Sequence, residues 1–173
     1  MPKHSAGILL YRSGGGAHEY EMLIVHPGGP FWAKRDLGAW SIPKGEFTEG
    51  EEVFVAAKRE FQEEMGVPAP VGDYEALGEA KQGSGKIVHI FALASDFNLE
   101  RFKSNMFTME WPPKSGVQQE FPECDRAAWV SMRVAKEKLV KGQVVFLEKL
   151  ASHLQISLDG PPPMPQSKQA SLF

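Results

Sequence analysis

The segment between residues 45 and 67 places the tightest constraint on how this chain can fold. It reads GEFTEGEEVFVAAKREFQEEMGV. Thr48, followed three residues later by Glu51, fits a capping box, which predicts that a helix begins there. Gly66 suits a left-handed C-terminal cap, and a proline follows two residues later. The pattern therefore predicts one helix that ends at about Met65.

This helix carries two different stripes. At about 3.6 residues per turn, one stripe is apolar and must face the core. The apolar positions are Phe54, Ala57, Phe61 and Met65. A neighbouring stripe holds Glu60, Glu63 and Glu64, because positions three and four apart adjoin on a helix. Crowded carboxylates repel one another and raise each other's pKa values, so the pattern predicts a bound cation.

Hard divalent cations suit such a cluster. Oxygen-rich carboxylate sites favour Mg²⁺, with Mn²⁺ as a substitute, especially where phosphate oxygens supply further ligands. Arg59 can reach Glu63 one turn along and hold a carboxylate in a fixed rotamer. Gly45 precedes the helix, and its missing side chain allows a metal or phosphate to approach the backbone. The alternative for this acidic face is a solvated surface without a ligand.

The rest of the chain interleaves strands with helices. Apolar patterns predict strands at 5–12, 20–26, 74–81, 86–94, 107–111 and 126–132, and helices at 134–140 and 143–154. Strands and helices do not alternate strictly, which predicts an α/β fold with a mixed sheet and helices packed on its faces. Residues 1–158 are assigned to one domain, and the proline-rich residues 159–173 to an extended tail.

Composition narrows the class of partner. The 173 residues include 19 Lys and Arg against 22 Asp and Glu, so the chain lacks the basic excess of a dedicated nucleic-acid binder. No apolar stretch approaches the roughly 20 residues that cross a bilayer. Cys124 is the sole cysteine, which excludes an internal disulfide and favours a reducing cytoplasm. We therefore expect a cytoplasmic protein with a small-molecule partner, no nucleic acid and no membrane.

The segment 45–67 resembles the signature of the Nudix hydrolase family. The matching positions are Gly45, Glu51, Arg59, Glu60, Phe61, Glu63, Glu64, Gly66 and Val67, with Phe61 where an aliphatic residue is more usual. The strand SAGILLYR and the phrase GAWSIPKGE extend the resemblance to about residues 2–156. The loop HPGGPFWAKRDLGAW resembles that of bacterial members described only as predicted nucleotide pyrophosphohydrolases. The resemblance implies a Nudix-type α/β/α sandwich.

The resemblance also implies an Mg²⁺-dependent reaction, in which water cleaves a phosphoanhydride bond of a nucleoside diphosphate linked to another moiety. Nucleoside triphosphates and diadenosine polyphosphates are the first candidates for the substrate, and sugar nucleotides and dinucleotide cofactors are the alternatives. Glu60 and Glu64 are expected as direct metal ligands, Glu63 as a ligand or a base, and the Gly45 carbonyl as a further ligand. Arg59, Glu63 and Glu64 are thus expected to take part in catalysis. The family also makes a homodimer a reasonable expectation.

Candidate site residues outside the motif are less clearly indicated by the sequence. Lys44, in a Pro-Lys-Gly turn, is a candidate phosphate contact or an ordinary turn lysine. Glu120 is the first candidate for a general base in a later loop, with Glu123 and Glu110 behind it, and each is alternatively a surface carboxylate. The alternative function is a Nudix-fold module that binds a nucleotide without hydrolysing it. Such modules commonly lose motif carboxylates, and this chain keeps all of them.

Overall fold

The computed structural model describes residues 2–15 and 19–158, so the predicted tail at 159–173 lies outside the described residues. The strands are β1 His4–Ser13, β2 Tyr20–Pro27, β3 Lys44–Phe47, β4 Glu75–Lys81, β5 Ile87–Ala94, β6 Met106–Glu110, β7 Gln118–Pro122 and β8 Cys124–Ser131. The α-helices are α1 Val53–Met65, α2 Met132–Lys138 and α3 Val144–Leu154. No helix within the described residues is long and apolar enough to cross a membrane.

One mixed sheet organises these elements. Its strand order is β4-β5-β1-β2-β8, and β3 pairs with β1 outside that path. Strand β1 runs parallel to β5 and antiparallel to β2 and β3. Strands β6 and β7 form a separate antiparallel ribbon. The mixed sheet predicted from the order of elements is confirmed.

Alternating side chains of β1 divide the interior into two cores, because successive residues of a strand point to opposite faces. Ile8 and Leu10 belong to one core, which Phe61 of α1 closes. Leu9 belongs to the other, which Phe146 of α3 closes, and α2 adds to the same side. Helices therefore cover both faces of the sheet, and the predicted α/β/α sandwich is confirmed.

The predicted start of α1 is wrong. The helix begins at Val53, and its N-cap is Glu52, whose carboxylate accepts the backbone N–H groups of Phe54 and Val55. Residues 48–51 instead form a turn, in which the Glu51 amide donates to the Thr48 carbonyl at 3.0 Å. The Glu51 side chain is held elsewhere, as described below, and is not available to cap a helix. The C-terminal prediction is confirmed, since Gly66 has a φ of 83°.

Two strands were missed in the sequence. Strand β3 has four residues and gains its partners from β1, so no local pattern reveals it. Strand β7 is mostly exposed and lacks apolar alternation. It exists because β6 lies beside it, with Thr108 opposite Glu120. Both strands are short segments that tertiary pairing stabilises.

Candidate active site

Arg59 is the hub of the acidic segment. Its guanidinium donates to both oxygens of Glu51, at 2.8 and 2.9 Å, and so grips that carboxylate with a two-pronged contact. It also donates to Glu60 at 2.7 Å and to Glu63 at 3.2 Å. These contacts raise the pKa of Arg59, with the Glu51 hydrogen bond as the largest cause. One arginine therefore fixes three carboxylates of the predicted site.

Glu60 lies buried between α1 and β3, with 7% of its surface exposed. Burial raises the pKa of Glu60, and Glu63 and Glu123 add to this, while Arg59 opposes it. A Cβ at Gly45 would lie only 1.8 Å from a Glu60 carboxylate oxygen. No larger residue fits at position 45 in this arrangement, so the glycine lets the backbone of β3 approach the carboxylate.

Glu64 faces the start of β3 and the start of β8. Its Oε1 accepts the Lys44 amide at 3.2 Å, and its carboxylate also accepts a hydrogen bond from the Cys124 thiol. Burial raises the pKa of Glu64 to about 8, although Lys44 acts in the opposite direction. Burial is also the main reason that the pKa of Lys44 is lowered. The two desolvated groups thus influence each other's charge, and the contact between the residues is made by the Lys44 amide.

Glu123 is the residue that the structure brings into the cluster. Burial raises the pKa of Glu123, and the nearby Glu63 carboxylate raises it further. Its backbone is held on both sides, because its amide donates to Asn105 at 2.8 Å and its carbonyl accepts from Gly28 at 2.9 Å. Asn105 in turn donates to the carbonyl of Glu63 at 2.9 Å. Glu123 was named in the sequence, but as a secondary candidate.

The expectation that Glu120 lies in a loop is wrong. It lies on β7 and is exposed, and the same is true of Glu110 on β6. Glu110 accepts the Lys114 amide at 2.6 Å, which gives it a local structural role. Nothing in sequence spacing separates Glu120 from Glu123, because both follow the glutamine pair by a few residues. Pairing of β6 with β7 separates them, since it places Glu120 in the ribbon and Glu123 beyond its end.

A cleft of about 440 Å³ opens beside this cluster. Arg59 and Glu63 line it from α1, and Lys103, Ser104 and Asn105 line it from the facing segment. The cleft gives a solvated ligand access to the motif helix, and Lys103 adds a cation to its wall.

Within residues 2–15 and 19–158, no three His, Cys, Asp or Glu side chains are arranged as a ready-made metal site. The donor set nevertheless suits a hard cation, because Glu60, Glu64 and Glu123 are desolvated carboxylates whose pKa values are raised. Arg59 contacts the near oxygen of Glu60, and the Gly45 backbone flanks the other.

Comparison with known proteins identifies the family and the fold. The family profile described as the NUDIX domain matches residues 1–150. A search of the curated proteins found no match. Solved structures with the same fold include the NUDIX domain of Shewanella oneidensis NrtR complexed with ADP ribose. That likeness has a TM-score of 0.59 and 15% identity, and covers 89% of each chain.

Two other solved structures share the fold. An Ap4A hydrolase from C. elegans, in a binary complex, has a TM-score of 0.54 and 21% identity, covering 88% of this chain and 98% of that one. A MutT/nudix family protein from Enterococcus faecalis has a TM-score of 0.53 and 14% identity. That likeness covers 76% of this chain and 44% of the other. The chain therefore belongs to the NUDIX domain family of hydrolases that act on phosphorus-containing anhydrides.

Proposed function

We propose that this chain is an Mg²⁺-dependent pyrophosphohydrolase, with Mn²⁺ as a substitute metal. Its substrate is a nucleoside diphosphate linked to another moiety, either a nucleoside triphosphate or a diadenosine polyphosphate. The observation that carries the proposal is the carboxylate cluster of Glu60, Glu63, Glu64 and Glu123, in which Arg59 contacts Glu60 and Glu63.

The energetic cost of ionising these carboxylates favours binding of a cation. Burial and mutual repulsion both disfavour the ionised carboxylates, and Arg59 compensates for only part of this. Glu60, Glu64 and the Gly45 carbonyl would hold the metal, with Glu63 as a further ligand. A bound divalent cation neutralises phosphate charge and lowers the pKa of the attacking water.

The residues around the cluster have separate tasks. Arg59 orients Glu51, Glu60 and Glu63, since its guanidinium contacts all three. Lys44 contacts a substrate phosphate, because its ammonium is desolvated and any anion that reaches it is attracted strongly. Arg59 and Lys44 thus keep the positions in the site that were expected from the sequence, with separate physical roles.

Glu123 accepts a proton from the attacking water. Its raised pKa brings the carboxylate closer to neutral pH, where a general base works best. Its backbone is anchored to Asn105 and Gly28, so the side chain starts from a fixed position. We therefore assign to Glu123 the general-base role for which Glu120 was the first candidate from sequence, and we expect Glu120 to act as a surface residue.

The test is product analysis with purified chain. Nucleoside triphosphates, diadenosine polyphosphates and ADP-ribose are incubated with Mg²⁺, with Mn²⁺ or with a chelator, and phosphate-containing products are identified. We expect cleavage at a phosphoanhydride bond that the chelator abolishes and Mg²⁺ restores. Tight nucleotide binding without any turnover under all metal conditions would instead support the non-catalytic module.

Cytoplasmic location and a homodimer remain predictions. The first rests on the sole cysteine, Cys124, which is buried. The second rests on family resemblance. Fractionation of the source cells and light scattering of the purified chain test them separately.

A further inference from the structure

His26 is a fully buried polar side chain near the end of β2. Its Nδ1 donates to the Asp125 carboxylate at 2.7 Å, and its Nε2 donates to the Arg35 carbonyl at 2.6 Å. The ring also packs edge-on against Trp40, with the two ring centroids 5.2 Å apart. Hydrogen bonds at both nitrogens fix the orientation of a buried imidazole. His26 therefore ties β8, through Asp125, to the segment that connects β2 with β3.

Asp125 is the extra residue of a bulge in β8. Along most of their length, β2 and β8 pair in one register, which ends with His26 opposite Arg126. The next residue of β2, Pro27, lies opposite Cys124, so the register skips Asp125. A bulge leaves one residue unpaired in the ladder and bends the strand, often next to a functional site. The unpaired residue here is the one that His26 holds.

The bulge sets which residue before β8 meets the chain that follows β2. In an uninterrupted register Gly28 would lie opposite Cys124. With the bulge, the Gly28 amide donates instead to the Glu123 carbonyl at 2.9 Å. The approach is close, since a Cβ at Gly28 would lie 1.9 Å from the Pro122 carbonyl oxygen. The backbone of Glu123 therefore has its position against β2 because one residue of β8 is left out of the pairing.

The segment before β6 holds the same end of β8 from its other side. The Glu123 amide donates to the Asn105 carbonyl at 2.8 Å, and the Cys124 amide donates to the Ser104 hydroxyl at 2.9 Å. Asn105 also donates its own amide to the carbonyl of Glu63, on the motif helix, at 2.9 Å. A continuous path of hydrogen bonds thus joins the bulge, through Glu123, to the carboxylate cluster.

We propose that His26 and Asp125 are positioning residues, whose contact fixes the bulge and thereby aims Glu123 at the carboxylate cluster. This inference rests on the proposed function, in which Glu123 accepts a proton from the attacking water. His26 lies two residues after Ile24 on β2, on the face that belongs to the core closed by α3. The motif helix covers the opposite face. The contact therefore acts on the base through the backbone of β8 and takes no part in the chemistry.

Two substitutions at Asp125 separate the contact from the charge. Asp125→Ala removes the contact and should lower kcat about tenfold or more with KM within about twofold, because a small displacement of a catalytic group can cost up to about 10²-fold. Asp125→Asn removes the same charge but keeps the contact, since an amide can accept from the ring or donate to it. It should stay within about threefold of the parent. Equal losses in the two variants would make the charge responsible and would overturn the proposal.

A double-mutant cycle tests whether the effect passes through Glu123. In a Glu123→Gln background, Asp125→Ala should cost less than about twofold, since no base remains to be aimed. An undiminished loss in that background would overturn the proposal. Asp36→Ala is the matched control, because Asp36 anchors the same connection through Lys138 at 2.8 Å and Trp40 at 2.7 Å, neither of which lies on β8. It should change kcat by less than about threefold, and a loss as large as that of Asp125→Ala would attribute the effect to the connection instead.

Amide hydrogen exchange, measured on metal-free protein without substrate, separates this inference from the proposed function. The amides of Gly28 and Glu123 should exchange about tenfold faster in Asp125→Ala than in the parent, and at the parent's rate in Asp125→Asn and Asp36→Ala. Unchanged exchange in Asp125→Ala would overturn the positioning role even if the chain is an active hydrolase. Faster exchange in a chain that hydrolyses no nucleotide under any metal condition would overturn the proposed function instead. Asp125→Ser, whose hydroxyl is one atom shorter than the carboxylate, repeats the test if Asp125→Ala is unstable.

Discussion

The carboxylate cluster of α1 and the ribbon of β6 and β7 both contain glutamates, but the two sets differ in how far they are buried. Glu60 is 7% exposed, and burial raises its pKa. Glu120 is exposed on β7, where its neighbours are the residues of a two-stranded ribbon. The chemical group is the same, and its surroundings decide whether ionisation is costly. A glutamate therefore becomes a candidate for metal or proton chemistry through packing, and the predictions below test this difference.

The largest effect is expected at Glu64. Glu64→Gln should lower kcat on the order of 10³-fold, because an amide is a poor ligand for a hard cation. In metal-free buffer the variant should fold as well as the parent or better, since it no longer buries a carboxylate. Steady-state kinetics with Mg²⁺ and melting temperatures with a chelator measure both. Near-normal turnover would reject Glu64 as a metal ligand.

The next comparison is between Glu123 and Glu120. Glu123→Gln should lower kcat by about 10² to 10⁴, the usual range for loss of a general base, with little change in KM or in the Mg²⁺ requirement. Glu120→Gln is the matched control and should stay within about threefold of the parent. Rate profiles across pH should lose their acidic limb in the first variant alone. A large loss of kcat in Glu120→Gln with little change in Glu123→Gln would instead identify Glu120 as the general base.

Substitution of Gly45 tests how closely the backbone of β3 approaches the Glu60 carboxylate. Gly45→Ala should displace Glu60, because the added Cβ would lie 1.8 Å from its oxygen. The clash falls on the end of the Glu60 side chain, so the loss of stability should not exceed about 1–3 kcal/mol, the range typical of core overpacking, and activity should fall with it. Gly50→Ala, in the turn that follows β3, is the control, since a Cβ there meets no atom within 4 Å. Chemical denaturation of the two variants gives the difference in free energy of unfolding, and equal values would contradict the tight fit.

The last prediction concerns how stability depends on pH. The pKa of Glu64 is raised to about 8 in the folded protein from an ordinary value of 4.5, so the folded state binds this proton more tightly than the unfolded chain does. The corresponding stability is fully present below pH 4.5 and is lost as pH rises towards 8. The slope is at most about 1.4 kcal/mol per pH unit.

Denaturation curves in chelator between pH 5 and 8.5 measure this slope. Glu64→Gln should flatten the curve, while Glu120→Gln should leave it unchanged. A curve for Glu64→Gln that runs parallel to the parent's would show that the buried carboxylate is not responsible.

The motif helix, its C-terminal cap and the mixed sheet could all be predicted from the sequence alone. Those features follow from local periodicity and from residues whose backbone preferences are strong, such as Gly66. The grouping of Glu60, Glu63 and Glu64 also follows from helical spacing alone. The family profile over residues 1–150 confirms the resemblance that this segment carries.

Other features of the fold and the site depend on tertiary structure. It moved the start of α1 from Thr48 to Val53, because the side chain of Glu51 is held by Arg59 eight residues away. It separated Glu123 from Glu120, because strand pairing sends one towards Glu63 and the other into the ribbon. It also paired Lys86 with Glu46, on a strand that no local pattern reveals. Spacing along the chain fixes neighbours within one helix, whereas burial and contacts between elements depend on how distant segments pack.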